Sequence, residues 1–347
     1  MRVEDDLPSL DTFKNAVKAR IKVPILTRLY ERFEDDGLEQ ISWEILNCIP
    51  EVERRPLLYT LTTHVTKEKP AFIYFIGKRD PRYQTRAQVV AASTDLLWSL
   101  SLMLDDIIDN DTQRADKDTA WTVYGRKQVE DNIKFILNKL VQVQAERISP
   151  QVAVFLQECV DDGIRSLFAP QIHSLDSTEK DILENIDQRA RFHCEYPMRA
   201  VFEGTESSEE HFTLGTEALF ASNRAGQILN DVKDLVPSNL YGRPLFNDII
   251  GGTVTVPLRM MADAVKGADK RLIQDAFGKR ELSTQTLSEL ENLVLAYLPR
   301  MRIHQKVSGI YEHFIDTMRL VTDTDDFSIC QEWVQYKVSQ ADRLLLR

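Results

Sequence analysis

The sequence has 347 residues, with 43 Lys and Arg against 54 Asp and Glu, and a formal net charge of −11. This balance argues against a nucleic-acid partner, because binding to a polyanion requires a basic surface. The four cysteines have no Cys-x-x-Cys spacing, so we expect free thiols in a reducing compartment and a cytoplasmic protein. The N-terminal stretch MRVEDDLPSLDTF is acidic, and no run of about 18 apolar residues occurs, so we expect neither a signal peptide nor a membrane span.

The distribution of apolar residues and breakers predicts an all-α chain. Periodicity and helix-stop residues predict helices at residues 10–33, 42–49, 56–66, 86–109, 131–147, 213–235 and 285–347, with further helix starts at Ser149–Pro150 and near Ser177. One long loop rich in breakers is expected at residues 237–252. The pattern never requires a second domain, so we expect a single domain over residues 1–347.

The first chemically informative stretch begins at Leu96, where an apolar run leads into Asp105, Asp106, Asp109 and Asp111. Asp105 and Asp109 are four residues apart, so both carboxylates project from one face at the C-terminal end of a helix. The helix dipole is negative there and like charges repel, so a cation should compensate. Oxygen ligands without His or Cys suit Mg²⁺, which commonly bridges to substrate phosphates. A solvated acidic helix end is the alternative.

A second acidic stretch contains Gln227, Asn230, Asp231 and Asp234. Asp231 and Asp234 are helix neighbours at a spacing of three residues, and they follow an apolar pair. Two carboxylate faces far apart in one chain can point at each other across a helical bundle. We therefore predict that the two faces hold several Mg²⁺ ions and a diphosphate between them.

These motifs carry a specific resemblance. The sequences DDIIDND followed by QR, and NDVKD preceded by Gln227, resemble the two aspartate-rich motifs of the trans-isoprenyl diphosphate synthase superfamily, the polyprenyl synthetases. The segments GKRDPRYQTRAQVVAASTDLLWSLSLML, DSTEKDILENIDQRARF and YGRPLFNDIIGGTVTVPL resemble further landmarks in the family's order. The resemblance covers residues 60–260 by motif, with extra helices expected at both ends. It implies a helical bundle of the isoprenyl synthase type, an active site in a central cavity, a homodimer and three Mg²⁺ ions.

The resemblance implies a binding site for an allylic prenyl diphosphate substrate. The residues at its metal-ligand positions are Asp105, Asp106, Asp109, Asn230, Asp231 and Asp234. Asp105, Asp109, Asp231 and Arg114 would support ionisation of the substrate. Arg114 matches the first of the family's paired arginines, which contacts the allylic diphosphate. Arg189 stands where a substrate-binding Lys is usual, and Gln227 matches the Gln before the second motif.

The second diphosphate site, for isopentenyl diphosphate, departs from the family pattern. Thr66, Lys69, Trp98 and Ala115 replace a Lys, an Arg, a His and an Arg. Each charge-assisted hydrogen bond to a diphosphate contributes about 1.5–3 kcal/mol, so these changes predict poor binding of isopentenyl diphosphate. The basic residues at 67, 78, 79 and 82 are candidate replacements, with a solvated basic loop as the alternative.

Trp98 precedes Asp105 by seven residues, so it lies on the same helix face, one layer deeper. Its ring could fill the core, stabilise a carbocation or stack on a flat acceptor. Leu100 and Ser101 occupy positions where farnesyl-forming relatives usually carry an aromatic floor. Their smaller side chains predict room for a C15 to C20 prenyl chain.

These observations rank four functions. A derived terpene synthase comes first, because intramolecular capture of the cation needs no second diphosphate. Prenyl transfer to a neutral acceptor, such as an indole or another aromatic, is second, and ordinary chain elongation of the geranylgeranyl or farnesyl type is third. A regulatory subunit without activity is the non-enzyme alternative, and the nearly intact acidic motifs argue against it.

Overall fold

A computed structural model describes residues 9–63, 67–114, 117–168, 174–203, 208–236, 245–279 and 281–345. The regular structure of these residues is helical, apart from one ribbon of two short strands, so the all-α prediction is confirmed. Thr66 and Ala115, two of the predicted departures from the family pattern, lie outside the described residues, as do residues 237–244 of the predicted loop. The rest of that prediction is partly wrong, because Asn247–Gly251 is a short helix.

The helices follow one another in chain order. They span Leu10–Arg20 (α1), Pro24–Asp35 (α2), Leu38–Asn47 (α3), Glu51–Thr63 (α4), Glu68–Lys78 (α5), Gln84–Ile108 (α6), Ala120–Tyr124 (α7), Arg126–Arg147 (α8), Pro150–Phe168 (α9), Glu179–Phe202 (α10), Ser208–Leu235 (α11), Asn247–Gly251 (α12), Val256–Ala264 (α13), Gly267–Ala276 (α14), Thr284–Tyr297 (α15), Ile303–Val321 (α16) and Thr324–Leu345 (α17). Short 3₁₀ turns occur at Pro81–Tyr83 and Leu298–Arg300, and strands Gln113–Arg114 (β1) and Lys117–Asp118 (β2) pair antiparallel.

Two compact units make up the chain. The first unit comprises Met1–Cys159, Phe192–Thr216 and Met318–Trp333, and the second comprises Val160–Arg191, Glu217–Thr317 and Val334–Arg347. The first acidic motif therefore belongs to the first unit, and the second acidic motif belongs to the second. That the whole chain forms one domain stays a prediction.

The core of the first unit is built around α6. This helix is buried over most of its 25 residues and packs against α3, α4, α5 and α8. Contact with α5 is close at Gly77, where an added Cβ would lie 2.5 Å from the Cβ of Ala87. No side chain fits there without movement of the helices, so this glycine sets how near α5 lies to the motif helix.

The motif helix is also the one segment of the described chain that is long and apolar enough to cross a membrane. The segment Pro81–Ile108 has a mean hydropathy of 1.3 in its most apolar window, and 72% of that window is buried inside the protein. Burial of this extent is typical of a core helix.

In the second unit, α13 and α14 pack against α15, and α12 packs against α14. The Gly278 N–H donates to the Ile249 carbonyl at 2.8 Å, which ties the end of α14 to α12. Apolar side chains of α11, among them Ile228 and Val232, are fully buried. The second acidic motif therefore stands on a helix anchored by its apolar face.

Several predicted helix boundaries are wrong. The helix predicted over residues 10–33 is two helices, because Pro24 starts α2 as its first residue and cannot continue α1. Ser42 does not open a helix; α3 begins earlier, after Gly37 at φ 76°, and Ser42 is buried within it. Pro56 lies inside α4 instead of starting a helix.

Other boundaries are confirmed within a few residues. Ser149 caps α9 as predicted, since its hydroxyl oxygen accepts a hydrogen bond from the Val152 N–H at 3.1 Å. The motif helices predicted over 86–109 and 213–235 correspond to α6 and α11. Periodicity therefore locates both acidic motifs correctly at the C-terminal ends of long helices.

Candidate active site: two acidic helix ends

The first acidic motif ends α6, and Arg114 from β1 reaches back to it. The Arg114 Nε lies 2.6 Å from Asp106 Oδ1, and its Nη2 lies 2.9 Å from Asp105 Oδ2. The Asp106 side chain is 5% exposed and that of Asp105 is 35% exposed. The cation expected at this helix end is therefore present, and it is supplied by the residue predicted to contact the allylic diphosphate.

Burial dominates the electrostatics of Asp106. Loss of hydration raises the pKa of this carboxyl to about 6, although the charge of Arg114 and its hydrogen bond act in the opposite direction. Asp109 lies at the exposed end of the helix. A further positive charge near Asp106 would favour its ionised form, as a divalent cation does for its carboxylate ligands.

Three side chains that the sequence analysis did not identify organise the turn after the motif. The Trp121 Nε1–H donates to the carbonyls of Asp106 at 3.1 Å and Asp111 at 2.8 Å. The Arg126 guanidinium donates to Oδ1 of Asn110 at 3.1 Å, and Asn110 has φ 55°. An Asn directly after a helix often adopts this left-handed conformation, so Asn110 could have indicated from the sequence where this turn lies.

Trp98 is half-buried in the first unit and carries a cation on its face. The Lys69 Nζ lies 3.7 Å from the centroid of the indole ring, within the range of a strong cation–π interaction. The His193 ring approaches edge-on, with a centroid distance of 4.9 Å. Lys69 thus covers one face of Trp98, and that face does not admit a flat acceptor in this arrangement.

Lys67 and Lys78, two of the candidate replacement cations, form buried ion pairs. The Lys67 Nζ lies 2.5 Å from Asp95 Oδ2, and the Lys78 Nζ lies 2.7 Å from Asp326 Oδ2. The Lys67, Asp95 and Asp326 side chains are almost fully buried, and 9% of the Lys78 side chain is exposed. The alternative of a solvated basic loop is therefore wrong for both lysines, and each ammonium is already neutralised by a carboxylate.

The residues predicted to leave room for a long prenyl chain lie one turn above the first acidic motif. Leu100 is buried, with 2% exposure, and Ser101 is half-buried. The Ser101 hydroxyl donates to the Trp98 carbonyl at 2.7 Å, so it is satisfied within its own helix. Their contact with a substrate stays a prediction.

The second acidic motif centres on Asp231, which is 6% exposed on α11. Its Oδ1 accepts one hydrogen bond, from Gln227 Nε2 at 2.7 Å. Burial raises the pKa of Asp231 to about 7; Gln227 and the charge of Arg189 act in the opposite direction, and Asp234 raises the pKa further. The predicted residues Gln227, Arg189, Asp231 and Asp234 therefore influence one another electrostatically within the second unit.

Asp234 and Asn230 have partners of their own. The Asp234 carboxylate accepts hydrogen bonds from the Asn247 N–H at 3.1 Å and the Asp248 N–H at 3.0 Å, which caps the first turn of α12. Asn230 is exposed, and its Oδ1 accepts from Lys233 Nζ at 2.9 Å. Both side chains are therefore held by neighbouring groups within the second unit.

A bidentate ion pair holds the helix of Arg189 against the helix of the second motif. Arg224 Nε lies 2.8 Å from Asp187 Oδ1, and the guanidinium makes a second bond to Oδ2. Asp187 precedes Arg189 by two residues on α10, and Arg224 precedes Gln227 by three on α11. This pair joins residues distant in sequence, and no local pattern indicates it.

The donors at both helix ends suit Mg²⁺. They are carboxylate and amide oxygens, and the buried Asp231 carboxyl accepts a hydrogen bond from Gln227. Among the residues that the structure describes, no three Asp, Glu, His or Cys side chains converge closely enough to hold a metal ion by themselves. Mg²⁺ in phosphate sites is commonly bound through one or two carboxylates, water and the substrate phosphates, so this donor set fits.

Comparison with known proteins places these motifs in a family context. The sequence model of the family described as polyprenyl synthetase matches residues 52–294, more than half of the chain and both acidic motifs. The geranylgeranyl diphosphate synthase of Sulfolobus acidocaldarius is 21% identical over 289 residues, which cover 78% of this chain and 81% of that protein.

Solved structures with the same fold cover nearly the whole chain. The geranylgeranyl pyrophosphate synthetase of Pyrococcus horikoshii is 20% identical with a TM-score of 0.69, over 91% of this chain and 98% of its own. A polyprenyl synthase of Caulobacter crescentus was solved with calcium and isoprenyl diphosphate. It is 15% identical with a TM-score of 0.74, over 90% of this chain and 97% of its own. The predicted isoprenyl synthase fold is therefore confirmed.

Proposed function

Because the chain belongs to the polyprenyl synthetase family, we propose that it is a Mg²⁺-dependent prenyltransferase that joins an allylic prenyl diphosphate to isopentenyl diphosphate. The observation that carries this proposal is the family match across both acidic motifs. The relatives described above are named as synthases of prenyl diphosphates, which favours chain elongation. The terpene synthase, ranked first from the sequence, gains no comparable support.

The residues of the first motif would bind the leaving diphosphate through Mg²⁺. Asp105, Asp106 and Asp109 supply the carboxylates, and Arg114 supplies a guanidinium suited to bidentate contact with phosphate oxygens. Bound Mg²⁺ would stabilise the negative charge that develops on the leaving group. Ion pairing with Asp105 and Asp106 supports this role, because it holds Arg114 at the acidic motif before a substrate arrives.

Four polar groups on α11 and one on α10 would form the second part of the site. Asp231 is the principal ligand in this proposal, with Asn230 and Asp234 as further oxygen donors and Gln227 fixing the Asp231 carboxylate. Arg189 provides a positive charge where the family usually has a Lys. The buried position of Asp231 supports the assignment, since a metal ion would compensate its charge.

Lys69 is the candidate contact for the second diphosphate. By the resemblance in sequence, Lys69 stands where the family usually has an Arg, and Trp98 stands where it usually has a His. The Lys69 ammonium lies over the Trp98 ring. A cation held on an indole face loses less freedom on binding than a mobile Lys side chain. This arrangement supports elongation despite the departures at Thr66 and Ala115.

Transfer to a neutral acceptor is the second candidate, and one observation favours it. Lys67 and Lys78, which could have replaced the altered isopentenyl diphosphate contacts, are both neutralised in buried ion pairs. A second diphosphate would then rest mainly on Lys69, whereas an uncharged acceptor needs no cation. A prenyl chain of C15 to C20 above Leu100 and Ser101, a homodimer and a set of three Mg²⁺ ions stay predictions.

Product analysis distinguishes these functions. The purified chain is incubated with Mg²⁺ and C10, C15 or C20 allylic diphosphates, each alone, with isopentenyl diphosphate, or with indole. Elongation predicts a product five carbons longer than the substrate, formed only when isopentenyl diphosphate is added. A hydrocarbon or alcohol formed from the substrate alone would favour the terpene synthase, and release dependent on indole would favour transfer to a neutral acceptor.

A further inference from the structure

The C-terminus of α6 concentrates negative charge and carbonyls that need partners from outside the helix. The last carbonyls of a helix lack partners within it, and the dipole is negative at this end. Asp105, Asp106 and Asp109 add carboxylates at the same place. Their arrangement therefore depends on what fixes the end of the helix.

The end of α6 is closed by a left-handed turn. The Asp109 N–H donates to the Asp105 carbonyl, and the Asp111 N–H donates to the Asp106 carbonyl, both at 2.9 Å. Asn110 stands between them at φ 55°. The bond from Asp111 back to Asp106 is the six-residue closure of a Schellman cap, with Asn110 as its left-handed residue.

Trp121 from α7 closes the same turn from outside. Its indole N–H donates to the carbonyls of Asp106 at 3.1 Å and Asp111 at 2.8 Å, the first and last residues of the closure. The Thr119 hydroxyl also donates to the Asp111 carbonyl, at 2.9 Å. One side-chain donor thus spans the whole turn that presents the acidic motif, in addition to the bonds that these carbonyls accept from the Asp111 N–H and the Thr119 hydroxyl.

We propose that Trp121 is a positioning residue that fixes the Asp105–Asp109 carboxylates for Mg²⁺ and diphosphate through its N–H. The proposal rests on the proposed function of the first acidic motif, and it assigns Trp121 no contact with reacting atoms. The indole acts on the backbone of Asp106 and Asp111. Loss of the N–H should loosen the turn without removing any charged group.

The test replaces Trp121 with 3-benzothienylalanine, which keeps the ring shape and removes the N–H, and with Phe. Trp43→Phe is the matched control, since Trp43 is another half-buried indole of the first unit, packed on Phe13. The first readout is amide hydrogen exchange of the metal-free protein at Asp109 and Asp111. The second is calorimetric titration of Mg²⁺ in the presence of inorganic diphosphate.

Both Trp121 variants should exchange these amides roughly fivefold faster, since one hydrogen bond contributes about 1 kcal/mol. The midpoint of the Mg²⁺ titration should rise several-fold, whereas the Tm and the Trp43→Phe control should stay close to the parent. Unchanged exchange and an unchanged Mg²⁺ midpoint would overturn the proposal. If the unsubstituted protein releases no diphosphate from any allylic substrate, the proposed function is contradicted. The role of Trp121 is still decided by the amide exchange and the Mg²⁺ titration, because neither measurement requires turnover.

Discussion

Asp231 should destabilise the folded chain at neutral pH, and its replacement should raise the free energy of unfolding. The side chain is 6% exposed, and burial raises its pKa from 3.8 to about 7. A difference of this size corresponds to about 4 kcal/mol when the carboxyl is ionised. The folded chain retains a proton that the unfolded chain releases, so stability falls as pH rises from about 4 to about 7 and then levels off.

Asp231→Asn removes this dependence, because an amide does not ionise. The free energy of unfolding should rise by up to about 4 kcal/mol at pH 8 and by about 2–3 kcal/mol less at pH 5, where the folded carboxyl is still protonated. Guanidinium chloride unfolding with a chelator present measures both values. Asp275→Asn, at an exposed position of the same unit, is the control and should change stability little at either pH.

Activity and stability should move in opposite directions at this position. Diphosphate release should be lost in Asp231→Asn even though the fold is more stable, as is common for groups retained for function. An equal gain in the free energy of unfolding at pH 5 and pH 8, or no gain at either pH, would refute the assignment of Asp231 as a buried carboxyl with a raised pKa.

Three further substitutions test the site. Asp105→Ala should abolish Mg²⁺-dependent diphosphate release with an unchanged circular dichroism spectrum, and an active variant would remove Asp105 from the site. Leu100→Phe should block the longest allylic substrate and spare shorter ones through overpacking, so a uniform loss in substrate-length assays would argue against contact with the chain. Lys69→Met should raise KM for isopentenyl diphosphate about 10-fold or more, since a charge-assisted bond contributes about 1.5–3 kcal/mol. Lys69→Arg should restore KM, and an unchanged KM in Lys69→Met would contradict the contact.

The sequence predicts the parts of this protein that depend on local pattern. Apolar periodicity without breakers locates α6 and α11, and the spacing of Asp105 and Asp109 places them at the end of a helix. Pro24 could have revealed the break between α1 and α2, because a proline starts a helix far more readily than it continues one. These features follow from residues within one or two turns of each other.

Partners that come from distant elements could not be predicted in the same way. Lys67 reads as part of a basic stretch, yet Asp95 neutralises it in the core. The pairing of Lys69 with Trp98 depends on how α5 meets α6, which the small size of Gly77 permits. The packing of helices that are distant in sequence, and not the residue type alone, therefore decides which cations can contact a substrate.

Label transfer from isopentenyl diphosphate tests the central claim most directly. The chain is incubated with Mg²⁺, a C15 allylic diphosphate and radiolabelled isopentenyl diphosphate, and the label in the prenyl diphosphate product is counted. We predict incorporation that requires both substrates and disappears when Mg²⁺ is chelated. Diphosphate release from the allylic substrate with no label in any product would contradict chain elongation.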